Sequence, residues 1–458
     1  MSELVGLAVV DALRGSVIGR VIAPDDADYD VARAAYFSSI DRRPSAIVRT
    51  ADVSDVARTV RLAHDSGVGL AVRGGGHSMA GHSSIEDGIL LDLSGMNDIA
   101  VDADARTAWV GGGATAGAVT AAAAAHGLAL GLGDAPSVGV GGITLGGGIG
   151  FLHRRLGLTI DQLLAAEVVT ADGQRVHADA ASNPDLFWAI RGGGGNFGVV
   201  TRLQFRLAEV DQAVGGPLIL PATPATLVGA LEAAIDAPDE MSGMILVMRA
   251  PPMPMLPAEV HGRLIIMGML VYAGDAAAGM RAFAPFRALA TPLADMTRPM
   301  KYAAIYEGPH PPKPAATAIR NFFTDSVDVA AAAFVLEQLR QSAAPMSVAQ
   351  FRVMGGAVAR VPADATAFAH RGRRMMANVA AMFENPAEQT QHQEWVDATA
   401  ARLRNGHAGA YVGFMKNEGD TRVREAYPGE TWTRLSRIKK RYDPGNLFRM
   451  NQNITPAA

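Results

Sequence analysis

The chain of 458 residues contains no cysteine. This absence excludes disulfides, thiolate zinc sites, iron–sulfur clusters and a thiol nucleophile, and it fits a reducing compartment. We expect no metal site. Charge is nearly balanced as well, with 41 basic and 45 acidic residues and a net charge of −4. Because no basic block interleaves with aromatic residues, nothing suits a phosphodiester backbone, and nucleic acid is not an expected partner.

Long apolar segments are also missing. No apolar run approaches the ~20 residues needed to span a bilayer, so we expect no membrane partner. Near the N-terminus a short apolar run has no basic region before it, and Asp11 and Arg14 interrupt it too early for a signal sequence. We therefore predict a soluble, cytoplasmic protein, whose oligomeric state the sequence leaves open.

Glycine, by contrast, is abundant, and many of the 50 glycines are concentrated in four clusters. The clusters are RGGGHS (73–78), GGGATAG (111–117), GVGGITLGGGIG (139–150) and RGGGGNFG (191–198). The segments before them, such as LAVR, TAWV and LFWAIR, are apolar. We interpret each cluster as a turn at the end of a strand, where the backbone takes positive φ or approaches another group closely.

Helical patterns lie between the clusters. Residues 52–67 place Val56, Val60 and Ala63 on one face, and residues 115–127 show a similar pattern. Both segments begin near a residue that can cap a helix and end on a glycine, as helices commonly do.

The length exceeds the usual size of a single core, so two domains, or one domain with a large insert, are expected. We predict that residues 1–210 and 405–458 form one domain and that residues 211–404 form an insert. The insert loses the glycine clusters and gains methionine and proline, and its alternating segments predict antiparallel strands. The predicted fold class is α+β.

Helices are expected to flank the strands of the insert. Alanine-rich segments at 328–343 and 387–404 predict two of them. In the tail, the segment GAYVGFM (409–415) predicts a short strand, and residues 431–443 predict a helix.

The glycine clusters indicate a phosphate-bearing ligand. Glycine turns expose backbone N–H groups, which bind anions when they converge. GGGATA (111–116) satisfies the dinucleotide fingerprint G-x-G-x-x-A, but no strand ending on an acidic residue follows it, and no P-loop is present. From composition alone, four tight turns in a glycine-rich protein remain the alternative to clusters that surround one extended cofactor.

His77 follows three glycines, so its imidazole is presented to whatever the loop surrounds. A neutral imidazole, with an ordinary pKa near ~6.5, is a competent nucleophile. The alternative is a hydrogen-bonded histidine on the surface of a loop.

Four ordered segments resemble the berberine-bridge-enzyme-like branch of the vanillyl-alcohol-oxidase flavoprotein superfamily, whose bacterial members include hydroxynicotine oxidase. The segments are 43–78, 136–158, 183–205 and 441–454, so the resemblance covers roughly residues 20–210 and 405–458. Within the insert only GGAVARVPADATAFAHR (355–371) is similar.

The resemblance implies an FAD-binding domain of two α+β subdomains and an inserted substrate domain built on an antiparallel sheet flanked by helices. It implies that His77 forms an 8α-histidyl link to FAD. Many relatives have a second link through a cysteine, but Ala135 stands at that position, so a single covalent link is expected. The FAD-binding residues implied in this way are Arg73, Gly74, Gly75, Gly76, His77, Ser78, Gly81, His82, Val138, Gly141, Gly142, Thr144, Gly147, Gly148, Gly198, Val200, Asn451 and Asn453.

The implied reaction is hydride transfer from an alcohol, amine or phenolic-type small molecule to FAD. A base normally takes the hydroxyl or amine proton. Phe414 stands where many relatives carry a catalytic tyrosine, so the base must lie elsewhere. One candidate catalytic residue is Tyr411 in the tail. Gln350 and Arg352 are two more, on one face of a predicted strand. The fourth is Asn378, which lies near where some relatives carry a glutamate. The alternatives are a core tyrosine and solvated strand residues.

Val138 corresponds to a position where valine in relatives generally accompanies fast reaction with dioxygen. It therefore predicts an oxidase that forms hydrogen peroxide. A dehydrogenase that uses another acceptor and a flavin-binding protein without turnover remain alternatives. A nicotinamide-dependent dehydrogenase is supported only by GGGATA.

Overall fold

A computed structural model describes residues 3–307 and 316–458. Up to residue 206 the elements are α1 (Glu3–Arg14), β1 (Arg20–Ile22), α2 (Tyr29–Arg33), β2 (Ala46–Arg49), α3 (Val53–Ser66), β3 (Leu70–Arg73), β4 (Ile89–Asp92), β5 (Ile99–Asp102), β6 (Thr107–Gly111), α4 (Ala116–Ala124), β7 (Leu128–Ala129), α5 (Val140–Gly146), α6 (His153–Leu156), β8 (Leu163–Val169), β9 (Arg175–Asp179), α7 (Pro184–Ile190) and β10 (Val199–Arg206).

This part of the chain contains two sheets. The four-stranded sheet has the order β1-β2-β4-β3, in which β1 is antiparallel to β2 and the other pairs are parallel. The five-stranded sheet has the order β5-β6-β10-β8-β9 and is antiparallel throughout. The first glycine cluster follows β3 and the second follows β6, as predicted.

Helix α3 shows how the local sequence sets an element. The Asp52 carboxylate accepts hydrogen bonds from the Ser54 and Asp55 N–H groups, which caps the N-terminus, and Gly67 ends the helix with a φ of 68°. Val56, Val60 and Ala63 are fully buried. The predicted helix and its apolar face are confirmed.

The other two glycine clusters do not follow strands. Most of the third cluster lies in α5, and the fourth follows α7, whose last residues belong to LFWAIR. Pro184 stands at the start of α7, where its fixed φ favours a helix. The interpretation of LFWAIR as a strand is wrong because a fully buried apolar run has the same pattern in either element.

From residue 208 to residue 403 the elements are β11 (Ala208–Glu209), β12 (Gln212–Pro221), α8 (Pro224–Asp236), β13 (Met241–Arg249), β14 (Leu264–Ala273), α9 (Ala276–Ala282), α10 (Ala284–Arg287), β15 (Ala294–Asp295), β16 (Arg298–Lys301), β17 (Ala316–Thr324), α11 (Val329–Gln341), β18 (Met346–Val353), α12 (Gly356–Arg360), β19 (Met375–Phe383) and α13 (Gln389–Leu403). Strands β12 to β19 form an antiparallel sheet of order β15-β12-β14-β13-β18-β19-β17, in which β16 also pairs with β12.

The two faces of this large sheet have different partners. Along β18, Ala349, Phe351 and Val353 pack into a core with side chains of α8, α11 and α13. Because strand residues alternate between faces, Gln350 and Arg352 point the other way, and Arg352 there meets the first part of the chain. The antiparallel sheet flanked by helices agrees with the expected fold class.

The tail contains α14 (Asp420–Ala426) and α15 (Glu430–Tyr442). The strand predicted at GAYVGFM is wrong: this segment is a loop with a short 3-10 helix at Val412–Phe414. The Tyr411 N–H donates to the Asn321 side chain at 2.6 Å, so a side chain takes the place of a neighbouring strand. Within the described residues, no helix combines the length and the apolar character needed to cross a membrane.

An ion pair ties the large sheet to the first part of the chain. Arg371 and Asp161 are almost fully buried and make two parallel contacts, at 2.9 and 2.6 Å. The segment before Arg371 also docks there, since the Trp188 indole N–H donates to the Asp364 carbonyl at 2.7 Å. Segment 355–371 therefore joins the large sheet to the first part of the chain.

His370, next to Arg371 in this segment, is expected to make the free energy of unfolding depend on pH. Its ring stacks on Phe323 at 4.6 Å and burial lowers its pKa to about 4. Below an unfolded pKa near ~6.5 the unfolded chain binds the proton more readily, so stability is lost as pH falls. We expect this histidine to account for about 2 kcal/mol of the stability lost between pH 7 and pH 5. In urea denaturation, His370→Gln should show a shallower pH dependence, whereas exposed His126→Gln should follow the wild type.

Candidate active site

A cavity of about 440 Å³ lies where the four glycine clusters meet. Thirteen of its 41 lining residues are glycines, and all of these except Gly133 come from the four clusters or from the tail. Among the described residues that line the cavity, none is lysine or arginine, and Asp134 is the only carboxylate. Anionic groups inside it would therefore rely on backbone N–H groups rather than on cationic side chains.

The cavity wall depends on the close approach of two loops. A Cβ atom at Gly75 would lie 2.2 Å from the Gly139 nitrogen, and one at Gly139 would lie 2.2 Å from the Gly75 nitrogen. Only glycine lets the two backbones meet in this way. By contrast, a Cβ atom at Gly142 or Gly195 would meet nothing within 4 Å, so these glycines border open space.

His77 lies in this wall. Its Nε2 atom is 3.0 Å from the Ser137 hydroxyl, across the junction of the two loops. The ring stacks on Tyr36, with centroids 3.9 Å apart. The imidazole is therefore held in a defined orientation while it lines the cavity.

Most of the residues predicted to bind FAD line this cavity. They are Gly74, Gly75, Gly76, His77, Ser78, His82, Val138, Gly141, Gly142, Gly198, Val200 and Asn451. Arg73, Gly81, Thr144, Gly147, Gly148 and Asn453 do not line it. His82 borders it as a neutral ring, since burial lowers the pKa of its imidazole to about 4.

Arg73 has a supporting position. Its guanidinium contacts Asp92 at 2.9 Å and the Ala32 carbonyl at 2.5 Å, and both ionic side chains are buried. Arg73 thereby anchors the end of β3, from which the loop of His77 departs. The charge of Arg73 is neutralised behind the loop instead of facing the cavity.

The tail closes one side of the cavity. Asn451 lines it, and the Oδ1 atom of this residue is buried without a hydrogen-bond partner. Asn196 holds the tail through the Gln452 carbonyl at 3.1 Å and the Ile454 N–H at 2.9 Å. Because Asn196 also belongs to the fourth glycine cluster, the tail and that cluster form one wall.

Tyr411 also lines the cavity, where the tail meets the large sheet. It is buried, and its hydroxyl accepts a hydrogen bond from the Gly148 N–H at 3.1 Å. Burial raises the pKa of the phenol, so it is protonated at neutral pH. Phe414, which packs edge-on against Tyr411 at 5.5 Å, has no hydroxyl to take a proton.

The other three candidate catalytic residues form a polar chain, in which Arg352 and Asn378 are buried and Gln350 is half-buried. Arg352 donates to the Gln350 side chain at 2.6 Å, and Asn378, the cross-strand neighbour of Gln350, donates to the same oxygen at 2.8 Å. At its other end Arg352 pairs with Asp134 and lies 4.8 Å from the Phe414 ring centroid. The chain therefore reaches the cavity through Asp134 and Phe414, although Gln350, Arg352 and Asn378 do not line it.

The sequence reasoning missed several residues of the cavity, above all Tyr36, Asp134 and Asn196. Asp134 stands directly before Ala135 in a loop, whereas a dinucleotide fingerprint predicts an acidic residue at the end of a strand. Tyr36 lies 41 positions before His77 and follows no motif. No sequence signal marks it.

These features fit a flavin dinucleotide. Glycine loops offer backbone N–H groups for a pyrophosphate, a nucleophilic imidazole is presented to the cavity, and the Asn451 oxygen lacks a partner. The apolar residues Leu70, Val72 and Phe448 line the same space and suit a flat aromatic system.

Comparisons with known proteins agree with this site. Residues 44–179 match a family described as an FAD binding domain, and residues 410–455 match one described as berberine and berberine like. The (R)-6-hydroxynicotine oxidase of Paenarthrobacter nicotinovorans is 31% identical over 459 residues, which cover 96% of this chain and 97% of the relative. This protein is therefore a flavoprotein, an FAD-dependent oxidoreductase. It belongs to the berberine-bridge-enzyme-like family.

Solved structures show the same fold. The crystal structure of the 6-hydroxy-D-nicotine oxidase from Arthrobacter nicotinovorans matches with a TM-score of 0.86 and 27% identity, covering 96% of this chain and 99% of that one. The xylooligosaccharide oxidase from Myceliophthora thermophila, in complex with xylobiose, matches with a TM-score of 0.86 and 23% identity, covering 98% of this chain and 100% of that one. The second likeness concerns the fold alone.

A buried lysine gives a test of the tail. Lys439 and Asp443 are fully buried, and the ammonium donates to Asp443 at 2.6 Å and to the Asn196 carbonyl at 2.8 Å. Removing one partner leaves a buried charge, so Lys439→Met should lower the free energy of unfolding by about 3–5 kcal/mol and weaken flavin retention. Urea denaturation and flavin content measure both effects. Lys440→Met, at an exposed lysine, is the matched control. Equal stability of the two variants would contradict the stabilising role of the buried Lys439–Asp443 pair.

Proposed function

We propose that this protein is an oxidase that carries FAD through a single covalent 8α-histidyl link at His77. It transfers a hydride from an alcohol, amine or phenolic-type small molecule to the flavin, and the electrons pass to dioxygen, giving hydrogen peroxide. The proposal depends on one observation, which is that a cofactor-sized cavity and a polar chain from the large sheet meet at one residue. The glycine-lined cavity with His77 in its wall meets the polar chain of Arg352, Gln350 and Asn378 at Asp134.

The position of His77 supports the covalent link. Its ring lines the cavity and is oriented by Tyr36 and Ser137, which leaves little rotational freedom to lose when a bond forms. Covalent attachment keeps the cofactor in place, and the flavin supplies the two-electron chemistry. Ala135, at the position of the second link in many relatives, also lines the cavity, and the chain has no cysteine, so a thiol link cannot form.

The lining supports an apolar or aromatic substrate. Met79 and Phe414 line the cavity and also pack into a cluster that contains Met248, Met267 and Met382 on one face of the large sheet. Methionine side chains are flexible and polarisable, so they adapt to flat apolar ligands. A sugar would instead require many placed hydrogen-bonding groups.

Anaerobic bleaching of the flavin tests turnover. The purified protein is mixed separately with four compounds: the cyclic amine (R)-6-hydroxynicotine, the sugar xylobiose, the phenol vanillyl alcohol and the secondary alcohol 1-phenylethanol. We expect one of the aromatic compounds to bleach the yellow colour fastest. Failure of the whole panel would favour the competing proposal of a flavin-binding protein without turnover, which Phe414 in place of the usual tyrosine supports.

Covalent attachment has a direct test in His77→Ala. Acid precipitation of the wild type should leave the yellow colour in the pellet, because a covalent bond survives unfolding. The variant should release its flavin into the supernatant. A colourless acid pellet from flavin-loaded wild type would refute the link, and His126→Ala, on an exposed turn, should behave as the wild type does.

The reaction with oxygen is tested at Val138, which lines the cavity on a loop fixed by the hydrogen bond from the Ala116 N–H to the Val138 carbonyl at 2.9 Å. On a fixed loop, one added methylene fills space that dioxygen must enter. We expect Val138→Leu to slow reoxidation of the reduced protein by at least about tenfold, which corresponds to about 1.4 kcal/mol in the barrier. Stopped-flow mixing with aerated buffer measures the rate. A variant as fast as the wild type would contradict the assignment.

A further inference from the structure

We propose that Asp134 is the base that accepts the substrate's hydroxyl or amine proton, an inference that rests on the proposed oxidase function. The familiar tyrosine is replaced by Phe414, and Tyr411 holds its proton because burial raises the pKa of the phenol. A proton acceptor in the cavity must therefore come from another element. Asp134 provides the only carboxylate among the described residues that line it.

The geometry leaves one carboxylate oxygen available. Oδ2 of Asp134 pairs with the Arg352 guanidinium, whereas Oδ1 accepts no hydrogen bond from any described residue. The Asp134 side chain is 32% exposed and the Arg352 side chain 4% exposed. Arg352 thus holds the carboxylate from the buried side, and the second oxygen is left for a ligand in the cavity.

Arg352 is a positioning residue in this arrangement. Its other contacts, with the Gln350 oxygen at 2.6 Å and the Phe414 ring at 4.8 Å, fix the guanidinium plane. Asn378 holds Gln350 in turn at 2.8 Å. The polar chain therefore orients Asp134, much as a carboxylate orients the histidine of a catalytic triad.

The loop that carries Asp134 is held independently of Arg352. The Tyr306 hydroxyl donates to the Gly133 carbonyl at 2.5 Å, directly before Asp134. On the other side of Asp134, Ser137 contacts His77. Asp134 consequently lies on the same loop that orients the residue proposed to carry the flavin, and it has a fixed position in the cavity wall.

In the proposed step two bonds of the substrate break. The O–H or N–H proton passes to an oxygen of Asp134, and the hydrogen on the adjacent carbon leaves with both bonding electrons for the flavin. The carbon–heteroatom single bond becomes a C=O or C=N double bond. Dioxygen then takes the two electrons, with that hydrogen and the proton from Asp134, and becomes hydrogen peroxide.

The test compares Asp134→Asn with the wild type as holoenzymes. The probe is the compound of the panel above that bleaches the wild type fastest. We expect anaerobic flavin reduction at pH 7 to slow by about 10²- to 10⁴-fold, the usual contribution of a general base. The acidic limb of the pH profile should disappear, while flavin content and the dissociation constant of the probe, read from spectral perturbation, should change little. Asp134→Glu, which keeps a carboxylate, should restore the limb in part.

The matched control is Asp295→Asn. Asp295 also pairs with an arginine, Arg287 at 2.7 Å, and its side chain is 30% exposed, but it does not line the cavity. This variant should reduce like the wild type. If Asp134→Asn also keeps the wild-type rate and pH profile, Asp134 is not the base, although the oxidase function stands. If no panel compound bleaches the wild type, the result favours a flavin-binding protein without turnover, and this inference then fails together with the oxidase function.

A second variant keeps the test decisive should Asp134→Asn lose its flavin. Arg352→Met retains the carboxylate and removes its counter-ion. Arg352, Tyr306 and Tyr411 are the charged or titratable groups that face Asp134 from the described elements around it. Of these only Arg352 carries a charge at neutral pH, and it holds the carboxylate in place, so its loss should slow anaerobic flavin reduction while the flavin content is kept. A variant that is reduced as fast as the wild type would overturn the proposal.

Discussion

The contact between two backbones, at Gly75 and Gly139, is the constraint on which the rest of the site depends. It brings the loop after β3 against the loop before α5, so that His77 and Ser137 meet across the junction. Any side chain at either glycine would push the loops apart by the space of a Cβ atom. The cavity wall and the contact between His77 and Ser137 both depend on this one approach.

Two ion pairs then hold the large sheet against the first part of the chain. Arg371 with Asp161 fixes the large sheet on the first part of the chain, and Arg352 with Asp134 joins the same two units at the cavity. Both arginines lie between residues 350 and 371, and both carboxylates come from the first part of the chain. The polar chemistry of the site therefore requires the large sheet to be docked there, which is why reaction and stability are expected to depend on the same junction.

Much of this could be predicted from local pattern. The caps and apolar face of α3, the glycine turns after β3 and β6 and the alternation along β18 are each set by neighbouring residues. The predictions that are wrong concern segments whose secondary structure is set by contacts with residues distant in the sequence. LFWAIR is buried on all sides, and GAYVGFM is held by Asn321 rather than by a strand partner, so neither carries a usable period.

By itself the sequence indicated a phosphate-bearing ligand, because glycine turns expose backbone N–H groups locally, and its resemblance to a flavoprotein family implied FAD and the residue proposed to hold it. Tertiary structure decided which of the predicted residues face the cavity. It turned Arg73 away toward Asp92, buried Arg352 beside Asp134, and brought Tyr36 onto His77. The physical reason is distance along the chain. Asp134 and Arg352 are 218 positions apart, so no local preference records their pairing, and only the docking of the large sheet creates it.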